Sequence, residues 1–234
     1  MAKKDKRIFY LPRRPKSISS FYFLLIIVTF FTTFSLAAQL VRFYDFELEP
    51  IGAIPRGWIV EATNPRGPLA TWMVEQDTTA PSGTHVFALK KVNHHSGGTF
   101  NLCWTKEVAL SDIEISVKFK AISGTIDQGG GLIWRVKDRN NYYVARFNPL
   151  EDNFRLYYVK DGMRHLIKNA NISLDSARWH TMQIIHKGIH IEGFLEGKRL
   201  IACDSKVFSN PGGIGLWTKA DAATKFDDLS IKEI

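Results

Sequence analysis

The sequence predicts an all-β protein, an antiparallel two-sheet sandwich of jelly-roll type over residues 38–234. Three observations carry this. Short runs of alternating apolar and polar residues fill the chain after residue 40. Turn signals separate those runs, as antiparallel hairpins require. No stretch after residue 40 combines a sustained helical period with helix caps.

In order, the strand-like runs begin with "VRFYDFELE" from Val41 and "THVFALKKV" from Thr84. "TFNLCWTKEV", "DIEISVKFKAI", "GLIWRVKD", "NYYVARFN" and "NFRLYYVK" follow. Then come "MRHLIK", "WHTMQIIHK", "IHIEGFLEG", "KRLIACDS", "GGIGLWTK" and "KFDDLSIKE". The breaks between them are "DRNN" before Tyr142, Asp161-Gly162, Lys187-Gly188, "EGK" at Glu196 and "NPGG" at Asn210. Asn-Gly-like and Gly-Gly pairs supply the positive φ that tight hairpins need.

Residues 1–37 read as a leader. "MAKKDKRIFYLPRRPK" is a positive segment, and Phe21 to Ala38 is an apolar run of 18 residues. Ser35 and Ala37 place small residues at −3 and −1 of a cut before Ala38, the layout of a secretory signal peptide. The run also approaches the ~20 residues that span a bilayer, so an uncleaved signal anchor is the alternative. Either way the domain is expected outside the cytoplasm, periplasmic or extracellular, and no later segment is apolar enough to cross a membrane.

The formal charge of +8 belongs mostly to this leader. Seven Lys and Arg stand there against Asp5 alone, leaving 24 basic and 22 acidic side chains in residues 38–234. That balance argues against nucleic acid as a partner, which demands many phosphate-neutralising cations. Export permits a bridge between Cys103 and Cys203, but two cysteines make no disulfide framework, and buried free thiols fit equally. His94, His95, His186 and His190 offer no zinc-ligand spacing.

Three successive strands each carry an arginine. Alternation places Tyr142, Val144, Arg146 and Asn148 on one face, opposite Tyr143, Ala145 and Phe147. It sets Arg155 and Tyr157 against Phe154 and Leu156, and Arg135 against Trp134. In "GIGLWTK", Trp217 and Lys219 face away from Ile214 and Leu216. Arg135, Arg146 and Arg155 are therefore expected to share one face with Asn148, Tyr157, Trp217 and Lys219. Guanidinium forks and flat aromatic faces together suit a saccharide or another oxygen-rich ligand. Cross-strand pairing of the arginines with Glu151, Asp152 and Asp221 is the competing, purely structural account.

Asp45, Glu47 and Glu49 alternate on the first run, and Asp227 and Asp228 lie in the last. First and last strands are expected to be neighbours, so Asp45, Glu47 and Asp227 are candidate ligands of a structural Ca2+, a cation that takes hard oxygen donors.

The segment "WHTMQIIHKGIHIEGFLEGKRLIACDS", with "GGIGLWTK" and "FDDLSI", resembles the concanavalin A-like lectin/glucanase fold in its laminin-G-like branch. With "DQGGGLIWRVKDRNNYYVARFNPLEDNFRLYYVKDG" added, it more closely resembles exported bacterial domains of the 3-keto-disaccharide hydrolase family, over about Phe43 to Ile231. The glucanases of this fold carry Glu-x-Asp-x-x-Glu on one strand. The nearest match here is "LSDIEI", with Leu110 at the first acid, which excludes that mechanism. The hydrolase resemblance implies another route, in which a base removes the acidified C2 proton of a 3-keto sugar. Glu151, Asp221 or His180 are the candidate bases, with Arg135 or Lys219 polarising the keto oxygen. The same fold hosts lectins, so carbohydrate binding without catalysis and hydrolysis both stand as expectations.

Overall fold

The computed structural model describes Leu11, residues 39–92 and residues 98–234. Apart from Leu11, the leader, with its cut before Ala38, and the pair His94-His95 lie outside the described residues. Every described strand belongs to one unit, Ala37–Ile234.

Fifteen strands and no helix occur among the described residues. They are β1 (Gln39–Tyr44), β2 (Trp58–Thr63), β3 (Thr71–Gln76), β4 (His85–Lys91) and β5 (Phe100–Leu110). β6 (Ile113–Ser123), β7 (Gly130–Asp138), β8 (Asn141–Asn148), β9 (Asn153–Lys160) and β10 (Met163–Asn171) follow. The chain closes with β11 (His180–Lys187), β12 (His190–Leu195), β13 (Lys198–Asp204), β14 (Gly212–Lys219) and β15 (Ala223–Glu233). The expected runs are all present as strands, and β2 and β3 add two that alternation did not single out.

The strands form two antiparallel sheets. One runs β13-β12-β11-β6-β15-β4-β3, with β1 also paired to β15; the other runs β10-β9-β8-β7-β14-β5-β2. The main core lies between them, where Phe87, Phe119, Ile115 and Phe226 of the first sheet meet Leu132, Trp134, Phe147 and Leu216 of the second. Inward residues alternate with outward ones along each strand, as a two-layer sandwich requires. Cys103 on β5 and Cys203 on β13 are both free thiols, the first buried and the second half-buried.

The seven-stranded sheet has a second apolar layer on its outer side. Phe100, Leu102, Trp104, Ile133, Tyr142, Tyr157 and Trp217 cluster there, all from that one sheet and none from the other. Gly213 and Gly215 of β14 make room for Trp104: a Cβ on Gly213 would sit 2.7 Å from its ring.

The sheet is strongly curled. Asn64, just past β2, donates from Nδ2 to the carbonyl of Gly162 in the β9–β10 turn, 3.0 Å away. In a flat sheet of this strand order those positions would be more than about 25 Å apart, at ~4.8 Å per strand. Thr63 Oγ1 also contacts the Tyr142 hydroxyl at 2.9 Å. Accumulated strand twist brings two diagonal corners together and makes the outer face concave.

Candidate functional site

Register sets the first contact on the concave face. Arg146 on β8 stands directly opposite Arg155 on β9. Like charges facing each other across a ladder repel, and the turn between the two strands supplies the counter-charge. Glu151 Oε2 accepts from Arg146 Nη2 at 2.9 Å, from Arg155 Nη1 at 2.8 Å and from Asn153 Nδ2 at 3.0 Å. The Tyr157 hydroxyl lies 3.5 Å from Arg146 Nη2 and 3.4 Å from Arg155 Nη1. Arg155 Nε donates to Asn169 Oδ1 on β10 at 2.7 Å.

A second acid lies beneath them. Asp127, buried in the loop before β7, accepts from Lys219 Nζ at 2.7 Å and from Asn148 Nδ2 at 3.0 Å. Arg164 of β10 extends across the concavity. Its guanidinium carbon lies 4.4 Å from the ring centre of Tyr157, 5.1 Å from Phe100 and 5.9 Å from Trp217. The Trp217 indole N–H donates to the Tyr142 hydroxyl at 3.2 Å.

The side chains differ in access. Arg146 is only 1% exposed, whereas Glu151 is 40% and Arg155 31% exposed. Partial burial works against the Glu151 carboxylate, but hydrogen bonds from Arg146 and Asn153 and the charges of both arginines hold its pKa at about 2. Burial also works against the Arg146 charge, yet Asp127, Tyr157 and Glu151 together raise its pKa. Burial lowers that of Arg164.

Six of the seven expected ligand-binding residues are gathered here: Arg146, Asn148, Arg155, Tyr157, Trp217 and Lys219. Asn148 and Trp217 are buried and position neighbours. Arg135 is the correction. One extra residue of β7 lies between its Ile133 and Val136 pairings to β14, and Arg135 sits in that bulge with φ of 47°. Alternation breaks, and the guanidinium turns between the sheets. It donates to the carbonyls of Ser111, Gly188 and Phe208 at 2.6 to 2.9 Å, tying three loops together.

The three candidate bases are separated. Glu151 is in the cluster, but as a firmly ionised acceptor. Asp221 accepts from the backbone N–H groups of Thr125, Ile126 and Asp127 and from Thr125 Oγ1, which overcome its partial burial and hold it well below the usual carboxylate range. It pins the loop that presents Asp127. His180 belongs to the other sheet, packed on Phe119 and Phe147, with Nε2 2.7 Å from the Asp175 carbonyl. It therefore lies on the core side, away from the arginines.

The calcium ligands do not assemble either. β1 does pair with β15, but the strand ends at Tyr44 and Phe46 adopts a φ of 60°, so the acids after it do not share a strand face. Glu47 accepts from the backbone N–H groups of Thr84 and His85, and Asp45 from that of Glu47. Asp227 is fully buried and accepts from Ser82 and Asp228. Among the described residues no three His, Cys, Asp or Glu side chains gather to hold a metal ion, so the residues present do not fit the expected Ca2+ site.

Asp127, Asn153 and Arg164 are members that alternation did not single out. At the opposite end of the same sheet a cavity of about 640 Å³ is lined by Lys106, Lys137, Lys160, Asn141, Asp161 and Phe208, among others.

No family model and no curated protein matches the chain. Solved structures match in fold. The carbohydrate-binding module CBM66 from Bacillus subtilis is 19% identical with a TM-score of 0.57, covering 76% of this chain and 96% of that one. The Bacillus licheniformis β-glucanase is 10% identical, with a TM-score of 0.53 and coverage of 85% and 99%. The exoplasmic/lumenal domain of VIP36, in its Ca2+/Man-bound form, is 10% identical, with a TM-score of 0.52 and coverage of 76% and 83%. At these identities the likeness is one of fold: the chain is a jelly-roll sandwich of the lectin and glucanase kind.

Proposed function

We propose that this chain is an exported, non-catalytic carbohydrate-binding domain, and that the sugar lies on the concave face where Arg146, Glu151, Arg155 and Tyr157 meet. The carrying observation is the shared Glu151 oxygen. One acceptor holds two arginines in place, so their remaining N–H donors and the Tyr157 hydroxyl form a fixed polar edge beside aromatic rings. Sugar hydroxyls pair with such donors, and the buried rings beneath hold the guanidinium groups in place. Glu151 keeps 40% and Arg155 31% of its side-chain surface in solvent, so the edge is reachable.

The fold likeness to a carbohydrate-binding module and to the Ca2+/Man-bound VIP36 domain supports this reading. The hydrolase reading, drawn from resemblance to the 3-keto-disaccharide hydrolase family, finds less support. A general base works best with a pKa near the operating pH, and Glu151 is held at about 2. The leader, as a signal peptide or anchor, is the proposed route of export.

A glycan array run beside a 3-keto-glucoside hydrolysis assay tests the proposal. Binding to at least one glycan class without turnover is expected. Turnover that disappears in Glu151→Gln would replace the binding role with the hydrolase role.

A further inference from the structure

The concave face carries unequal charge. Arg146, Arg155, Arg164 and Lys219 share the face with the carboxylates Glu151, Asp127 and Glu61, the last already accepting from Trp104 Nε1 at 2.8 Å. Glu151 serves Arg146 and Arg155, and Asp127 serves Lys219. The Arg164 side chain forms no ion pair and no hydrogen bond with the described residues. Its buried Nη1 has no acceptor, and neither does Nε of Arg146, a side chain only 1% exposed. Buried donors are nearly always paired in folded proteins. Two orphan guanidinium N–H groups on one face, where these cations outnumber the carboxylates, therefore point to an acceptor supplied from outside.

The bed under Arg164 limits what that acceptor is. Tyr157, Phe100 and Trp217 hold the guanidinium by their ring faces. A guanidinium held by its faces pairs with a carboxylate through the N–H edge, in bidentate fashion. The positive excess continues along the sheet into the cavity, where Lys106, Lys137 and Lys160 stand against Asp161. A field of one sign along a concave surface attracts a chain of opposite sign.

We propose that the saccharide bound on this face is acidic, and that Arg164, with Arg146 behind it, receives the carboxylate of a uronic acid residue. This rests on the carbohydrate-binding reading above. Arg164 keeps part of its surface in solvent, so a carboxylate reaches it from the open side of the concavity.

The test uses the full-length protein on an array of neutral glucan, xylan, mannan and arabinan oligosaccharides beside uronate-bearing pectin, alginate and glucuronoxylan oligosaccharides. Each acidic probe is also present as its methyl ester. The expected result is binding to a uronate probe that weakens about 10-fold on esterification, with that difference lost in Arg164→Gln, since hydrogen bonds to charged groups are worth such factors. Arg164→Lys keeps the charge but loses the fork; it should recover only part of the preference, and it stands in if the Gln variant fails to fold. Equal affinity for acid and ester, or acid preference untouched by either substitution, overturns this inference and leaves the carbohydrate reading in place. Binding to no probe at all overturns both.

Discussion

Arg146 Nη2 donates to Glu151 Oε2 across 2.9 Å, joining a side chain that is 1% exposed to one that is 40% exposed. The pair makes the carboxylate the hinge between a buried charge and the solvent edge of the site. Its pKa of about 2 lies below the ordinary 4.5. Folding therefore gains from the ionised acid above pH 4.5, and that gain is lost as the pH falls toward 2. In Glu151→Gln the protein should be less stable than the parent at pH 7, and that gap should narrow by more than half at pH 3, closing only below pH 2. Urea denaturation at both values checks this; a constant gap would mean that the carboxylate charge contributes nothing.

Arg155 separates binding from stability. It is half-buried, and an ion pair this accessible contributes less than about 1 kcal/mol. Arg155→Ala should melt close to the parent yet bind its glycan about 10-fold more weakly, the value of one charged hydrogen bond. Isothermal titration beside a thermal melt makes the comparison. Unchanged affinity would move the sugar away from the β8–β9 turn.

Arg135 should behave in the opposite way. Its guanidinium is buried and joins the carbonyls of Ser111, Gly188 and Phe208, with the Asp112 carboxylate 3.6 Å away. Arg135→Ala should cost about 3 kcal/mol or more of stability, since buried acceptors lose charged donors together. Glycan affinity of the folded fraction should stay within about twofold, because distant sites act independently. A binding loss with unchanged stability would return Arg135 to the ligand face.

The contrast between these arginines shows what the sequence could carry. β8 and β9 pair without interruption from Tyr142 to Asn148, so a period of two places Arg146, Asn148, Arg155 and Tyr157 correctly. The β7 bulge is invisible to such counting, because Arg135, a non-glycine residue, takes the positive φ there. Asp227 and Asp228 repeat the lesson: the β15 register shifts between Asp227 and Ser230, with Asp228 at a φ of 48°. Arg164 was hidden for a different reason. It becomes a neighbour of Phe100 only because the sheet curls, and curl arises from summed twist over seven strands, not from any local pattern. β2 and β3 were missed: β2 buries irregularly, and β3 alternates, with Trp72 and Val74 inward, over only six residues.

Two buried groups should pull the pH dependence of stability in opposite directions. His186 accepts from Trp134 Nε1 at 2.9 Å, and burial, helped by the nearby Arg135 charge, lowers its pKa from 6.5 to about 3. Between those values only the unfolded chain takes up the proton, so this group makes stability rise with pH, by about 1.4 kcal/mol per unit at full effect. Asp227 is the reverse. Burial, with Asp228 beside it and despite hydrogen bonds from Asp228 and Ser82, raises its pKa from 3.8 to about 7. Across that span only the folded chain keeps the proton, so this group makes stability fall as the pH rises. From pH 5 to 6.5 the two slopes should largely cancel, leaving the parent protein with a flat profile. His186→Gln retains an acceptor for Trp134 but does not titrate, so its stability should fall with rising pH in that window. Asp227→Asn should show the opposite slope. Denaturant midpoints taken every half unit measure both, and two variants that remain as flat as the parent would show that neither group carries the assigned shift.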